Sequence, residues 1–111
     1  MREPRFTYSD NQTHAAIQLI ISNFSFLLDH KLSVTSEQAL TWLDLFPPDI
    51  IEISMKIGAA WHRRQLVKEA NKEIPTQNYQ QEEIVVRYMS SVMRNKYEER
   101  LRYDQVTRGR S

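Results

Sequence analysis

Apolar side chains along this chain recur at the spacing of an α-helix. Ile17, Ile20, Ile21, Phe24 and Leu28 fall at the intervals that place side chains on one face of a helix. Later segments follow the same period, and no apolar run alternates with polar residues between turn signals, as a half-buried strand does. The pattern therefore predicts an all-α protein.

Local signals mark where the helices begin and end. Thr35 and Gln38 fit a capping box, in which the Thr35 side chain accepts a hydrogen bond from the Gln38 amide. Pro47 and Pro48 end that helix and open the next one, and Pro75 ends the third. We expect helices at about 10–30, 36–46, 48–71 and 78–102, with short flexible tails at both ends, in one domain that spans residues 1–111.

The short connections between these helices favour antiparallel neighbours. Folding helix three back on helix four places Trp61 opposite Met89 and Ile57 opposite Met93. The same exercise brings the apolar rows of the first two helices together. We therefore expect a small four-helix bundle of two antiparallel helix hairpins, with a more irregular packing of the same helices as the alternative.

Composition narrows the class of protein. The apolar fraction of 41% and the charged fraction of 26% are those of a folded globular chain. No cysteine is present, so there is no disulfide or thiolate site, and a cytoplasmic location is expected. The most apolar stretch, 15–28, is interrupted by polar residues and is too short to span a bilayer, so no membrane association is expected.

Residues for catalysis or cofactor binding do not cluster in the sequence. His14, His30 and His62 lie on separate segments without the paired spacing of a metal site. Gly58 and Gly109 are isolated, whereas a phosphate-binding loop needs several glycines close together. We therefore assign no catalytic residue, metal or cofactor, and we do not expect an enzyme.

Helix four carries two adjoining apolar rows, and a single hairpin cannot bury both. A small helical domain of this kind typically acts by contact, which favours an interaction or regulatory (adaptor) protein that self-associates as a homodimer. The second row could equally pack inside the monomer. The candidate interface residues are Trp42, Phe46, Val85, Tyr88 and Val92.

Charge suggests an alternative function. Residues 1–60 hold four basic and seven acidic side chains, whereas residues 61–111 hold eleven basic and seven acidic ones. Basic residues interleaved with tyrosines are typical of nucleic-acid-binding accessory proteins, although a solvated helix face has the same composition. The candidate nucleic-acid contacts are Arg63, Arg64, Lys68, Arg87, Arg94, Arg108 and Arg110.

Overall fold

The computed structural model describes residues 10–75 and 81–108, with side chains described as far as residue 105. These stretches form four helices and no strand: α1 (Asp10–Leu27), α2 (Ser36–Leu45), α3 (Pro48–Ala70) and α4 (Gln81–Arg108). α1 packs on α2 and α3 packs on α4. The predicted all-α bundle of two hairpins is therefore confirmed.

The boundaries that carry a sequence signal lie within a residue of their predicted positions. Thr35 Oγ1 accepts a hydrogen bond from the Gln38 amide at 3.1 Å, which is the predicted cap of α2. Pro48 occupies the first turn of α3, where a helix leaves its amides without internal partners. Steric restriction by the two prolines thus separates α2 from α3.

The end of α1 differs from the prediction, which extended the helix to His30. Asp29 and His30 adopt left-handed backbone angles, with φ values of 58° and 59°, and the His30 amide donates a hydrogen bond to the Ser25 carbonyl at 2.7 Å. Arg63 Nη1 of α3 also donates to the Leu27 carbonyl, at 3.2 Å. The left-handed residue that ends a helix is usually a glycine. Because α1 ends without one, the sequence gives no signal for this boundary.

α4 is longer than predicted at its C-terminal end. It continues to Arg108 rather than ending near Arg102, since no glycine or proline occurs between Gln81 and Arg108. The side chains of 98–105 are all exposed, and Arg100 pairs with the Asp49 carboxylate of α3 at 2.6 Å. The predicted start at 78 and the predicted N-terminal tail lie outside the described residues.

The hairpins share one core, and Trp42 links three of its helices. Its ring lies 6.5 Å from that of Phe24 on α1, measured between centroids, and its Nε1 donates a hydrogen bond to Ser90 Oγ on α4 at 2.9 Å. Phe46 meets Tyr97 of α4 edge to face at 5.9 Å. The buried apolar residues are Ile20, Phe24, Leu28, Val34, Ala39, Trp42, Leu43, Phe46, Ile50, Ile51, Met55, Ala59, Val85, Met89 and Met93.

Close approach of α3 and α4 depends on Gly58. A Cβ atom at this position would overlap the Met89 Cγ and would lie 3.2 Å from the Met89 Cε. Ser54, one turn earlier, is also fully buried and leaves little bulk between the helices. Glycine inside a helix costs about 1 kcal/mol relative to alanine, and the packing of Met89 offsets that cost.

Across the described residues, the structure holds no helix whose length and apolar character would let it cross a membrane.

Candidate functional site

Two aromatic side chains stack at the edge of the α3–α4 hairpin. The rings of Trp61 and Tyr88 are nearly parallel, with an interplanar angle of 6° and centroids 4.3 Å apart. Both side chains are only half-buried. The sequence predicted Trp61 opposite Met89, but Met89 packs on Gly58 instead, which moves the indole to the edge of the hairpin.

An apolar surface extends from this stack along both helices. On each helix, three side chains follow one another at intervals of four residues, and none of the six is buried; Ile53 is 46% exposed. The row one position along α4, Val85, Met89 and Met93, is by contrast completely buried. We call this surface the outer seam; it consists of Ile53, Ile57 and Trp61 of α3 and Ile84, Tyr88 and Val92 of α4.

The outer seam does not belong to the core. Half-buried apolar side chains that pack against the core come from other positions: Ala16, Ile17, Ile21, Leu27, Leu32, Leu45, Val86 and Tyr97. The seam residues are covered in part by each other, as the ring stack shows. Among the described residues, the fold therefore leaves a row of apolar side chains on each of two neighbouring helices, none of them buried.

Recesses flank the aromatic stack. One, of about 230 Å³, is lined by Trp61, His62, Gln65, Leu66, Glu69, Gln81 and Ile84. Another, of about 260 Å³, is lined by Trp61, Ile84, Arg87, Tyr88 and Ser91. Both share Trp61 and Ile84, so a partner side chain that enters either recess would contact the seam.

His62 and Glu69 both line the recess of about 230 Å³. Burial lowers the pKa of His62, because the charged imidazolium is desolvated there. The Glu69 carboxylate opposes this lowering of the pKa and the Lys31 ammonium reinforces it. Within residues 10–75 and 81–108, no group of three or more His, Cys, Asp or Glu side chains is arranged to hold a metal ion.

The predicted interface residues separate into two groups. Tyr88 and Val92 lie on the outer seam, as expected for contact residues. Trp42, Phe46 and Val85 are 1%, 8% and 0% exposed, so the expectation that they form an exposed surface is wrong. Trp42 and Phe46 join the two hairpins, and Val85 lies on the buried row of α4 beside Met89.

Sequence reasoning missed four seam residues: Ile53, Ile57, Trp61 and Ile84. The four-residue interval from Ile53 to Trp61 is visible in the sequence, but we assigned these positions to the interior of the hairpin. Gly58 changes that assignment. Because a glycine accommodates Met89, α3 turns Gly58 rather than Ile57 toward α4.

The predicted nucleic-acid contacts also separate. Arg63, Arg64 and Lys68 border a shallow groove of about 420 Å³ on the outer side of α3, together with Ala60, Val67 and Glu73. Arg87 lies in the recess beside Trp61 and pairs with Glu83 at 3.1 Å. Arg94 is exposed on α4. The Arg108 side chain and Arg110 lie outside the described residues.

Comparison of the chain with protein-family models, with curated proteins and with solved structures finds no significant match. The function therefore has to be argued from the residues of this chain.

Proposed function

We propose that this chain is a small, non-catalytic interaction protein of the regulatory or adaptor type, and that its outer seam contacts a protein partner. The observation that carries the proposal is the Trp61–Tyr88 stack, half-buried at the centre of an apolar surface that does not pack on the core. Tryptophan and tyrosine are enriched among the residues that dominate the energy of protein interfaces. Apolar stripes at helical spacing are the surface on which a partner helix packs.

The stack also reduces the cost of binding. Ordering a mobile side chain at an interface costs about 0.5–1.5 kcal/mol. Trp61 and Tyr88 already hold each other in place at 4.3 Å. A partner that covers them gains apolar burial with little further loss of side-chain freedom.

Self-association is one form of this proposal, in which a second copy covers the outer seam. Such a homodimer uses Tyr88 and Val92 with Trp61, since Trp42, Phe46 and Val85 are in the core. Light scattering across micromolar concentrations tests it. A dimer that Trp61→Ser converts to a monomer supports this form, whereas a monomer throughout leaves a different protein as the partner.

Site-directed photo-crosslinking in the native cells tests whether the seam contacts a protein. A photoreactive amino acid replaces Ile57 on the seam in one version of the full chain and Leu19 in a control version. Leu19 is a matched control because it is a helical apolar residue, 61% exposed, on α1. We expect a discrete crosslinked product from position 57 that Trp61→Ser abolishes. No product from position 57, or the same products from both positions, contradicts the proposal.

Binding to nucleic acid is a second candidate function, favoured by the groove that Arg63, Arg64 and Lys68 border. Each phosphate that a cation neutralises releases counterions, so such binding weakens steeply with salt. A salt series with single- and double-stranded DNA and RNA, with Arg64→Glu as the variant, tests it. Absence of binding at low salt removes this candidate.

A further inference from the structure

Basic side chains outnumber acidic ones on the two helix segments that carry the outer seam and continue beyond it. Residues 52–69 of α3 and 82–96 of α4 contain seven basic side chains and four acidic ones, although the whole chain has a formal net charge of only +1. The segments lie side by side in the hairpin. Basic side chains are therefore in excess around the seam.

Some of these cations already have a partner. Lys56 pairs with Glu52 at 3.3 Å and Arg87 pairs with Glu83 at 3.1 Å, and Arg63 donates a hydrogen bond to a carbonyl of α1. Within the stretches that the structure describes, the remaining four form no ion pair: Arg64, Lys68, Arg94 and Lys96. The apolar seam is thus flanked, beyond Trp61 on α3 and beyond Val92 on α4, by four cations that pair with no described carboxylate.

We infer that the occupant of the outer seam is an acidic amphipathic helix of a different protein. Its apolar stripe would cover Ile57, Trp61 and Tyr88, and its carboxylates would meet Arg64 and Lys68. This inference rests on the proposed function and specifies its partner. Complementary charge around an apolar contact mainly determines which partner binds and how fast.

A second copy of this chain fits less well. In a two-fold symmetric contact the same patch faces itself, so the cations of one copy would lie near those of the other. The neighbouring carboxylates of Glu52 and Glu83 already pair with Lys56 and Arg87 of the same copy. An acidic partner converts the same charges into attraction.

A nucleic acid also fits less well at the seam itself. Protein–DNA interfaces are polar and strongly charged, whereas the seam holds Ile53, Ile57, Ile84 and Val92 around the aromatic pair.

The length of the seam indicates the length of the partner helix. From Ile53 to Trp61 the apolar stripe covers eight helical steps, about 12 Å at the usual rise per residue. A partner helix of just over two turns, about ten residues, matches this length.

Selection from a peptide library tests the chemistry of the occupant. Displayed amphipathic helices have fixed apolar positions, and their polar positions are drawn equally from Glu, Lys, Gln and Ser. The full chain is the target. We expect the selected helices to be enriched in Glu and depleted of Lys, and we expect that enrichment to disappear when Arg64→Glu and Lys68→Glu are combined in the target.

Binding of one selected peptide to variants of the full chain then locates the contact. We expect Trp61→Ser to weaken affinity about thirtyfold, as for a central aromatic contact, and Arg64→Glu to weaken it about tenfold. Arg102→Glu is the matched control, because Arg102 is exposed on α4 outside the seam segment, and it should leave the affinity unchanged. Circular dichroism verifies that each variant is folded.

The other outcomes overturn the inference in different ways. Selection of neutral or basic helices contradicts the acidic partner while leaving the seam as a protein-binding surface. Equal competition by DNA, or by a peptide of the same composition with scrambled apolar spacing, shows that a polyanion binds the cations alone. A dimer that Trp61→Ser dissociates identifies a second copy as the occupant. If no helix is selected and no dimer forms, the proposed function is contradicted as well.

Discussion

The α3–α4 hairpin has two faces with opposite properties. The inner face is made of small residues and methionines, among them Gly58 and Met89, and is fully buried. The outer seam is made of larger residues such as Trp61 and Tyr88, which are half-buried and do not pack on the core. Two rows that are one position apart on the same helix thus differ in location: one lies in the core and the other lies at the surface.

This difference predicts how substitutions should act. A change on the inner face alters the free energy of unfolding, because it leaves a cavity or an overlap in a close-packed interior. A change on the outer seam mainly alters contact with a partner. The two faces can therefore be separated by measuring stability and binding on the same variants.

The largest effect on stability is expected from Met89→Ala. Met89 is completely buried, and its side chain fills the space that a Cβ atom at Gly58 would occupy. Truncation leaves a cavity there and should lower the free energy of unfolding by about 2–5 kcal/mol. Ile57→Ala on the outer seam is the control, with an expected loss of about 1 kcal/mol for a half-buried side chain. Urea denaturation measures both. Equal losses would show that the faces do not differ.

Gly58→Ala should give the next largest loss. The added methyl group overlaps Met89. Overpacking of this kind costs about 1–3 kcal/mol against a gain of about 1 kcal/mol from helix propensity, so urea denaturation should show a net loss of up to about 2 kcal/mol.

The same substitution in a Met89→Ala background isolates the overlap. With the Met89 side chain removed, we expect Gly58→Ala to stabilise the protein, because only the propensity gain remains. A loss of similar size in both backgrounds would contradict the proposed packing of Met89 on Gly58.

Ser54→Ala should have a smaller effect of opposite sign. Ser54 Oγ is fully buried and has no hydrogen-bond partner among the described residues. An unsatisfied buried hydroxyl is unfavourable, so alanine is expected to raise the free energy of unfolding by up to about 1 kcal/mol. A loss of stability in urea denaturation would show that the hydroxyl has a partner in solution.

The smallest expected effect is a dependence of stability on pH that arises from His62. Its pKa is lowered in the folded state, so the unfolded chain binds the proton more readily. Stability should therefore fall as pH drops below the ordinary histidine pKa of about 6.5. Urea midpoints at about pH 7.5 and about pH 5 measure the change.

His62→Gln should reduce this pH dependence, because the variant lacks the imidazole whose pKa is lowered in the folded state. An unchanged dependence in the His62→Gln variant would show that other groups cause it.

Signals carried by a few neighbouring residues made much of the fold predictable. The Thr35 cap and the Pro47–Pro48 pair determine where α2 and α3 begin and end. The end of α1 was not predictable, because it depends on left-handed Asp29 and His30 rather than on glycine.

The candidate site was less predictable than the fold, because it depends on which side of α3 turns inward. Periodicity identifies rows of apolar residues, but it does not say which row faces a neighbour. Contact between Met89 and Gly58 determines that choice. Trp42 was predicted at an interface and Trp61 inside the hairpin, whereas packing buries Trp42 in the core and leaves Trp61 on the seam.

Those two tryptophans provide the most direct test of the central claim, that the outer seam binds a partner while the inner core stays unchanged. Each indole N–H gives its own signal in an NMR spectrum, and Trp42 donates its N–H to Ser90 within the core. Titration with a selected acidic helix should move the Trp61 indole signal and leave that of Trp42 in place. A shift of Trp42 alone, or no shift of Trp61 at saturation, would contradict the account.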